Sequence, residues 1–519
     1  MACPALAEYR RDSGCRLAQS LDVATFPAFP TIARLHWSCS HLTRPFKRRC
    51  GGRIACTLVL AVVFPGSRLT TATPEPGATE RATETNLAIE NVAVVDVARG
   101  RVIHPKSLLI VNGRIVKISD PLKFTASPTA LRIDGKGHYV IPGLVDMHVH
   151  LFNNSSGREP NAWMLPLLVS HGVTGVREMS VKPADMSQIR RWRAAAERHE
   201  LIAPQILAAG APVSGSTQAV IRKEVRAARD AGADFIKVFS QLDKAQWKWI
   251  ASEARRQNMR VCGHVPPSLT VLAAATGKQR TNEHLTQIYE ACSSREKDFL
   301  SKRQNLASDE VVKVSDAQEQ EVLASYDQLA CDQFSNALAR TAQVQVPTLV
   351  LPYSEARGDR TKFRDDSRWP CLRPDEQARW ERILAENLDQ ELAARRWDVS
   401  RKIVSTLHRA GVNILAGTDS PMPLVYPGSS LHQELELFVD AGFRPAEALR
   451  AATLGPAEFF GLEADRGTIA IGKRADLVLL DDDPLVQIRN IRHVRAVILN
   501  GRYLSREDLD HLGCQHESH

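Results

Sequence analysis

Between residues 139 and 419 the chain repeats one grammar: a short apolar run, then a charged stretch with apolar residues every third or fourth position. The apolar runs are 139–149, VTGVREM from 173, QILAAG from 205, DFIKVF from 234, RVCGHV from 260, TNEHLT from 281, VPTLVL from 346 and VNILAGTD from 412. Helical patterns such as TQAVIRKEVRAARDAG and AQWKWIASEARRQ lie between them. Short runs rich in β-branched residues read as strands, and intervening helices supply the long crossovers that parallel pairing needs. Eight such units predict an α/β fold, a closed (β/α)8 TIM barrel, with its chemistry gathered at the carboxyl ends of the strands. An open doubly wound sheet would carry a glycine-rich phosphate turn after its first strand, and the sequence has none.

The flanks have another texture. NLAIENVAVVDVARGRV and SLLIVNGRIVKI, with Asn112 and Gly113 as a hairpin turn, find an echo in GTIAIGKRADLVLLD and VRAVILNGRYL, with Asn500 and Gly501 at the turn. Two β-rich ends with one grammar predict a small composite β-sandwich. The expected organisation is a leader over 1–85, a first sandwich part over 86–140, the barrel over 141–460, a second sandwich part over 461–510 and a tail over 511–519. Residues 288–345 and 353–400 exceed an ordinary crossover and are expected to lie over the barrel mouth as a lid.

The chain has 519 residues and a formal net charge of +8. Residues 1–53 hold nine Lys and Arg against three acids, so the other 466 residues carry only +2. A nearly balanced body argues against a nucleic-acid partner. The basic cluster Lys47, Arg48, Arg49 and Arg53 precedes the apolar run 54–64, which is too short to span a bilayer and suits the core of a secretory signal. An exported protein without a stable membrane span is therefore expected, although about 46 residues precede that signal; residues 66–85, rich in Thr, Pro and Ala, read as a linker. Five of ten cysteines lie in the leader and five, Cys262, Cys292, Cys331, Cys371 and Cys514, in the body. The lack of a Cys-x-x-Cys argues against a cysteine zinc site, and after export the body has the cysteines for one disulfide, which the sequence does not pair.

The first strand ends in Asp146, Met147, His148, Val149 and His150. His148 and His150, two positions apart, face one side of a strand. His264 ends the fifth strand, His284 sits in the sixth and Asp419 ends the eighth, all where a barrel opens. Neutral imidazoles and a carboxylate suit zinc and similar divalent ions. Lys237, in the fourth strand, is discordant, since an ammonium with an ordinary pKa of about 10.4 repels a metal. On the residues alone, a salt bridge from Lys237 to Asp419 in a one-metal or metal-free site is the alternative reading.

The ordered set DMHVH, GADFIKVF, CGHV, NEHL and LAGTDS, followed by LHQELELFVDAGFRPAEALRAATLGPAEFFGL and GTIAIGKRADLVLLDDDPL, resembles the amidohydrolase superfamily. Residues 86 to about 505 are most similar to its imidazolonepropionase-like and prolidase-like members. The resemblance implies two divalent ions, zinc first among them. His148, His150 and Asp419 would hold the more buried one, and His264 and His284 the more exposed one. Lys237, carbamylated by carbon dioxide, would bridge both as an anion. It further implies Asp419 as proton carrier, and His284 or a neighbouring loop donor at the oxyanion, in hydrolysis of an amide of the dipeptide or N-acyl amino acid type. A cyclic amide or lactone is the alternative substrate, and a non-catalytic scaffold the alternative of another class. The partner is then a small molecule, with a homo-oligomer left open.

Loops after barrel strands favour function, so Asn153, Asn154, Arg177, Glu178, Tyr289 and Tyr353 are candidate substrate contacts. His171 is expected to close a helix and His432 to sit in the core. No Gly-x-Ser-x-Gly elbow or phosphate loop is present.

Overall fold

The computed structural model describes residues 86–152, 160–358 and 360–513; the signal-like run 54–64, the linker 66–85, Asn153, Asn154 and Cys514 lie outside them. Eight strands form one sheet drawn from both flanks: β1 (Asn86–Asp96), β2 (Arg101–Val111), β3 (Arg114–Ser119), β4 (Leu131–Asp134), β5 (Tyr139–Pro142), β13 (Leu477–Leu480), β14 (Val494–Leu499) and β15 (Arg502–Leu504). Their order is β15-β14-β13-β5-β1-β2-β3, with β4 beside β1. Ile89, Leu108, Ile110, Ile115, Val140, Leu477 and Ile498 share its apolar core. Both Asn-Gly pairs turn as their chemistry requires. φ is 49° and 75° at Asn112 and Gly113 and 50° and 81° at Asn500 and Gly501, the positive values that a two-residue hairpin turn demands. The two turns also touch, since a Cβ on Gly501 would lie 2.5 Å from the Cα of Gly113.

The second sheet is parallel and runs in chain order through β6 (Leu144–Val149), β7 (Val173–Glu178), β8 (Gln205–Pro212), β9 (Phe235–Val238) and β10 (Arg260–Gly263). β11 (Thr281–Glu283) and β12 (Val344–Val346) pair in parallel beyond it. Single bridges join the rest: Val261 with Gln279, Gln345 with Ile414 and Val149 with Ser420. The run 412–419 forms no continuous strand, yet it bonds on both sides, Leu415 N–H to the Gln345 carbonyl (2.9 Å) and Met147 N–H to the Ala416 carbonyl (3.0 Å). The helices between strands end as their sequences dictate. Thr217 caps Gln218–Ala231, which stops at Gly232 with φ 87°, and Asp243 closes a capping box on Lys244–Arg256.

Two expected strands need correction. The run 139–149 breaks at Gly143, where a Cβ would lie 2.0 Å from Thr174 Oγ1, so that its first half joins the mixed sheet of the flanks and its second half the parallel one. VPTLVL stops being a strand at Val346: Thr348 has φ 49°, and the Leu349 and Val350 N–H groups donate to Glu434 (2.9 and 2.8 Å), which starts helix Val350–Arg357.

The long segments are helical. Glu296–Arg303, Ser308–Ala324 and Gln328–Leu338 fill the first, held by a Cys292–Cys331 disulfide. The second contains Pro374–Leu384 and Gln390–Arg409. Arg396 joins the two through Glu319 and Glu355. Trp380 Nε1 and Arg379 Nη1 donate to the Pro421 carbonyl (3.0 and 3.1 Å), which seats the second segment beside the loop that follows Asp419. Among the described residues no helix is long and apolar enough to cross a membrane.

Candidate metal centre

The carboxyl ends of the parallel strands bring together the side chains that the sequence singled out. His148 Nε2 is 3.1 Å from Asp419 Oδ1, His150 Nε2 is 2.9 Å from the same oxygen, and His284 Nε2 is 4.0 Å from Oδ2. His148, His284 and Asp419 each offer a ligand atom within 4.8 Å of the others. The His264 ring lies 5.0 Å from that of His284, edge to face. Lys237 Nζ, fully buried, sits 5.2 Å over the Phe239 ring, whose edge meets His264.

Backbone geometry aims these groups. The Asp419 N–H donates to the His148 carbonyl (2.7 Å), and both Asp419 (φ 66°) and His284 (φ 57°) occupy the left-handed region. Such a conformation costs a non-glycine residue roughly 1–3 kcal/mol and gathers at functional sites. It turns each side chain out of its strand direction toward the shared centre.

The imidazoles also have their outer nitrogens engaged. His148 Nδ1 donates to Glu283 Oε2 (3.0 Å). His284 Nδ1 meets Thr348 Oγ1 (2.8 Å), whose own proton goes to the Pro347 carbonyl, so the imidazole donates there too. His264 Nδ1 meets Ser240 Oγ (3.0 Å). An Nδ1 that carries the proton leaves Nε2 a lone pair, which is the arrangement of a metal-ligating histidine. The inward atoms His148 Nε2, Asp419 Oδ1 and Lys237 Nζ are buried with no hydrogen-bond partner among the described residues. A buried lone pair facing a carboxylate oxygen calls for a cation between them, so the donor set fits a divalent ion. The Lys237–Asp419 salt bridge is absent, because Lys237 Nζ has no such partner.

Electrostatics agree with ligand chemistry. Burial takes the His284 imidazole down to about 3 against the pull of Asp419, and burial with Lys237 and His284 nearby holds His264 well below the ordinary range. Both are neutral near pH 7. Burial alone would raise Asp419, but His284 and His148 hold it well below the usual carboxylate range. Burial lowers the Lys237 amine to about 8, with Glu283 and Asp419 opposing.

Other expected contacts lie elsewhere. Arg177 is fully buried, and its guanidinium faces Glu283, Thr281 and the Met147 carbonyl instead of an open surface. Glu178 accepts from the Leu151 and Ser180 N–H groups and so fixes the turn after His150; burial takes it up to about 7, with His150 opposing. The Tyr289 hydroxyl bonds Ser400 Oγ (2.8 Å), and the Tyr353 ring packs on Trp397. His171 caps helix Met164–Ser170, and His432, 2% exposed, donates from Nε2 to its carbonyl (2.8 Å). Glu283 was missed by sequence reasoning, although a carboxylate inside an expected barrel strand, beside the candidate ligand His284, was the signal for it.

Residues 139–325 and 376–504, more than half of the chain, match the profile described as the Amidohydrolase family. A 77-residue stretch is 40% identical to adenine deaminase from Gluconobacter oxydans, covering 15% of this chain and 14% of that one. A 111-residue stretch is 34% identical to imidazolonepropionase from a Geobacillus species, covering 20% and 24%. The chain thus spans less than a quarter of the length of these curated relatives. The structure resembles a bottromycin amidohydrolase with a TM-score of 0.61 at 23% identity, over 82% of this chain and 88% of that one. It resembles a Xaa-Pro dipeptidase with bound methionine in its active site with a TM-score of 0.57 at 19% identity, over 81% and 100%. At such identities the two structures speak for the fold alone.

Proposed function

Because this chain belongs to the amidohydrolase family, we propose that it is a hydrolase that uses two divalent ions, zinc first among them, to cleave an amide C–N bond in a dipeptide or N-acyl amino acid. The observation that carries this reading is the convergence of His148, His150, His284 and Asp419 on buried atoms that lack partners. The hydrogen bonds that join the eight parallel runs from Val149 round to Ser420 support a closed (β/α)8 barrel as its frame, with the sheet from both flanks as its composite partner.

His148, His150 and Asp419 would hold one ion, and His264 and His284 the other. Lys237 would serve both: its neutral amine adds to carbon dioxide, an N–C bond forms as one C–O π bond opens onto oxygen, one proton leaves the nitrogen, and the amine becomes a carboxylate-like anion. When bound, divalent ions lower the pKa of water toward about 7 and polarise a carbonyl. Asp419 Oδ2, turned toward His284 and away from the Oδ1 contacts, takes the proton of the attacking water and returns it to the leaving nitrogen. His284 would serve as an ion ligand through Nε2, its Nδ1 proton being taken up by Thr348, and a neighbouring loop donor would face the oxygen on which charge develops.

A cyclic amide or lactone is the second reading, favoured by the local likeness to imidazolonepropionase. We also propose export, which the Cys292–Cys331 disulfide supports, since such bonds persist in oxidising compartments. Zinc-loaded protein offered a panel of dipeptides, N-acyl amino acids, cyclic amides and lactones tests the substrate class. Release of free amino acid from an open-chain amide is expected. Turnover of cyclic substrates alone would transfer the reading to the second class.

A further inference from the structure

His148, His264 and His284 differ in what stands behind them. Hydroxyl oxygens, Ser240 Oγ and Thr348 Oγ1, stand behind His264 and His284. Behind His148 stands a carboxylate, Glu283, which itself leans on Arg177. Both members of that pair are 0% exposed. Arg177 Nη2 lies 2.8 Å from Glu283 Oε2 and 3.0 Å from Oε1, and Thr281 Oγ1 also donates to Oε1. Arg177 Nε donates to the carbonyl of Met147, the residue before His148 (2.5 Å), and its Nη1 to Thr281 (3.2 Å). One guanidinium therefore ties β6 and β11 together around a single imidazole.

Stability does not account for this arrangement. A buried ion pair loses about as much in desolvation as its attraction returns, and apolar groups of equal volume often serve as well. The Phe235 and Phe459 rings already lie 5.9 and 6.0 Å from the guanidinium, in surroundings that would accept an apolar side chain. What an apolar pair would not do is fix the proton on Nδ1. An ionised carboxylate only accepts, so the proton stays on His148 Nδ1, the ring stays oriented, and the Nε2 lone pair points at the centre with greater basicity than a hydroxyl partner confers.

We propose that Arg177 and Glu283 form a positioning pair that makes the His148 side the tighter of two unequal cation sites. Resting on the metal-hydrolase reading, this deepens it: the chain holds one ion firmly through a charged support and the other loosely through neutral hydroxyls. Depletion would then be stepwise, with the ion beside His264 and His284 leaving first.

The test is chelator titration of the zinc-loaded protein, followed by metal analysis, together with visible spectra of the cobalt-loaded form. The parent should lose its ions in two separated steps. Glu283→Gln should weaken the tighter step by about 10- to 100-fold and alter the cobalt spectrum. Because that variant leaves a buried guanidinium unbalanced, the double variant Arg177→Met with Glu283→Gln is measured beside it. The double variant should regain thermal stability while its tighter step stays weakened, a result that a merely structural role would not give. Thr348→Val should instead weaken the looser step. If the parent binds zinc but Glu283→Gln and the double variant keep the parent's tighter step and spectrum, the inference fails while the hydrolase reading stands. If the parent binds no divalent ion, that reading itself fails.

Discussion

At the amino ends of the parallel strands Val145, Leu207, Val344 and Leu415 pack with Phe459 and Phe460, and Phe235 joins the same two rings from β9. At the carboxyl ends the same framework presents His148, His150, Lys237, His264, His284 and Asp419. The floor buries apolar surface, at roughly 25 cal/mol of stabilisation per Å². The mouth buries His148 Nε2 and Asp419 Oδ1 without hydrogen-bond partners among the described residues, and each such group costs about 1–3 kcal/mol until a cation arrives, whereas Lys237 Nζ, equally unpartnered there, must first lose its charge. Stability and chemistry are thus separated along one strand by only a few residues, and substitutions should separate in the same way.

The largest effect is expected at the mouth. Asp419→Asn keeps the shape but removes the anion that three imidazoles face, so turnover should fall by about 10²–10⁴-fold with no loss of thermal stability. Steady-state kinetics beside a melting curve check this, and normal turnover would dissolve the distinction between the two ends. Next comes Lys237→Met, which should lower metal content by roughly tenfold or more together with activity. Lys237→Glu should recover part of the metal, since it restores a carboxylate of shorter reach, and bicarbonate should speed reactivation of the metal-free parent.

Substitution in the floor should do the opposite. Leu415→Ala is expected to cost about 2–5 kcal/mol in denaturant unfolding while leaving metal content per folded chain unchanged. Loss of metal at full stability from this change would contradict the division.

The last effect concerns acid and shows only as pH falls. In metal-free protein His284 takes a proton near pH 3 when folded and near 6.5 when unfolded, so the unfolded state binds more protons across that window. Stability from this group is present above about pH 6.5 and is lost as pH falls toward 3. His284→Gln should flatten that decline, and denaturant midpoints taken every half pH unit would reveal it. An unchanged slope would mean that the folded imidazole titrates normally.

Much of the frame was legible because its signals are local. Asn112–Gly113 and Asn500–Gly501 announce hairpins, Thr217 and Asp243 announce helix starts, and β-branched runs announce strands. Strand ends were less legible wherever a partner distant in sequence decides them. Gly143 divides one apolar run because Thr174 leaves no room for a Cβ, and Glu434 starts a helix within VPTLVL from 85 residues away. At the site, the spacing of His148 and His150 and the strand-end positions of His264, His284 and Asp419 led to groups that the fold brings together. The partnership of Arg177 with Glu283 was hidden, since 106 residues separate them and nothing local distinguishes a buried charge from an exposed one. Arg177 therefore read as a substrate contact, whereas its donors are taken up by Met147, Thr281 and Glu283.

The central claim is that the buried atoms around Asp419 are the ligand atoms of divalent ions that the reaction needs. Metal analysis of protein purified without chelator, repeated after chelation and after reloading, with hydrolysis measured at each stage, tests it most directly. The account predicts about two divalent ions per chain, lost with activity on chelation and regained with it on reloading. Chelated protein that holds no metal and turns over substrate at the full rate would contradict it.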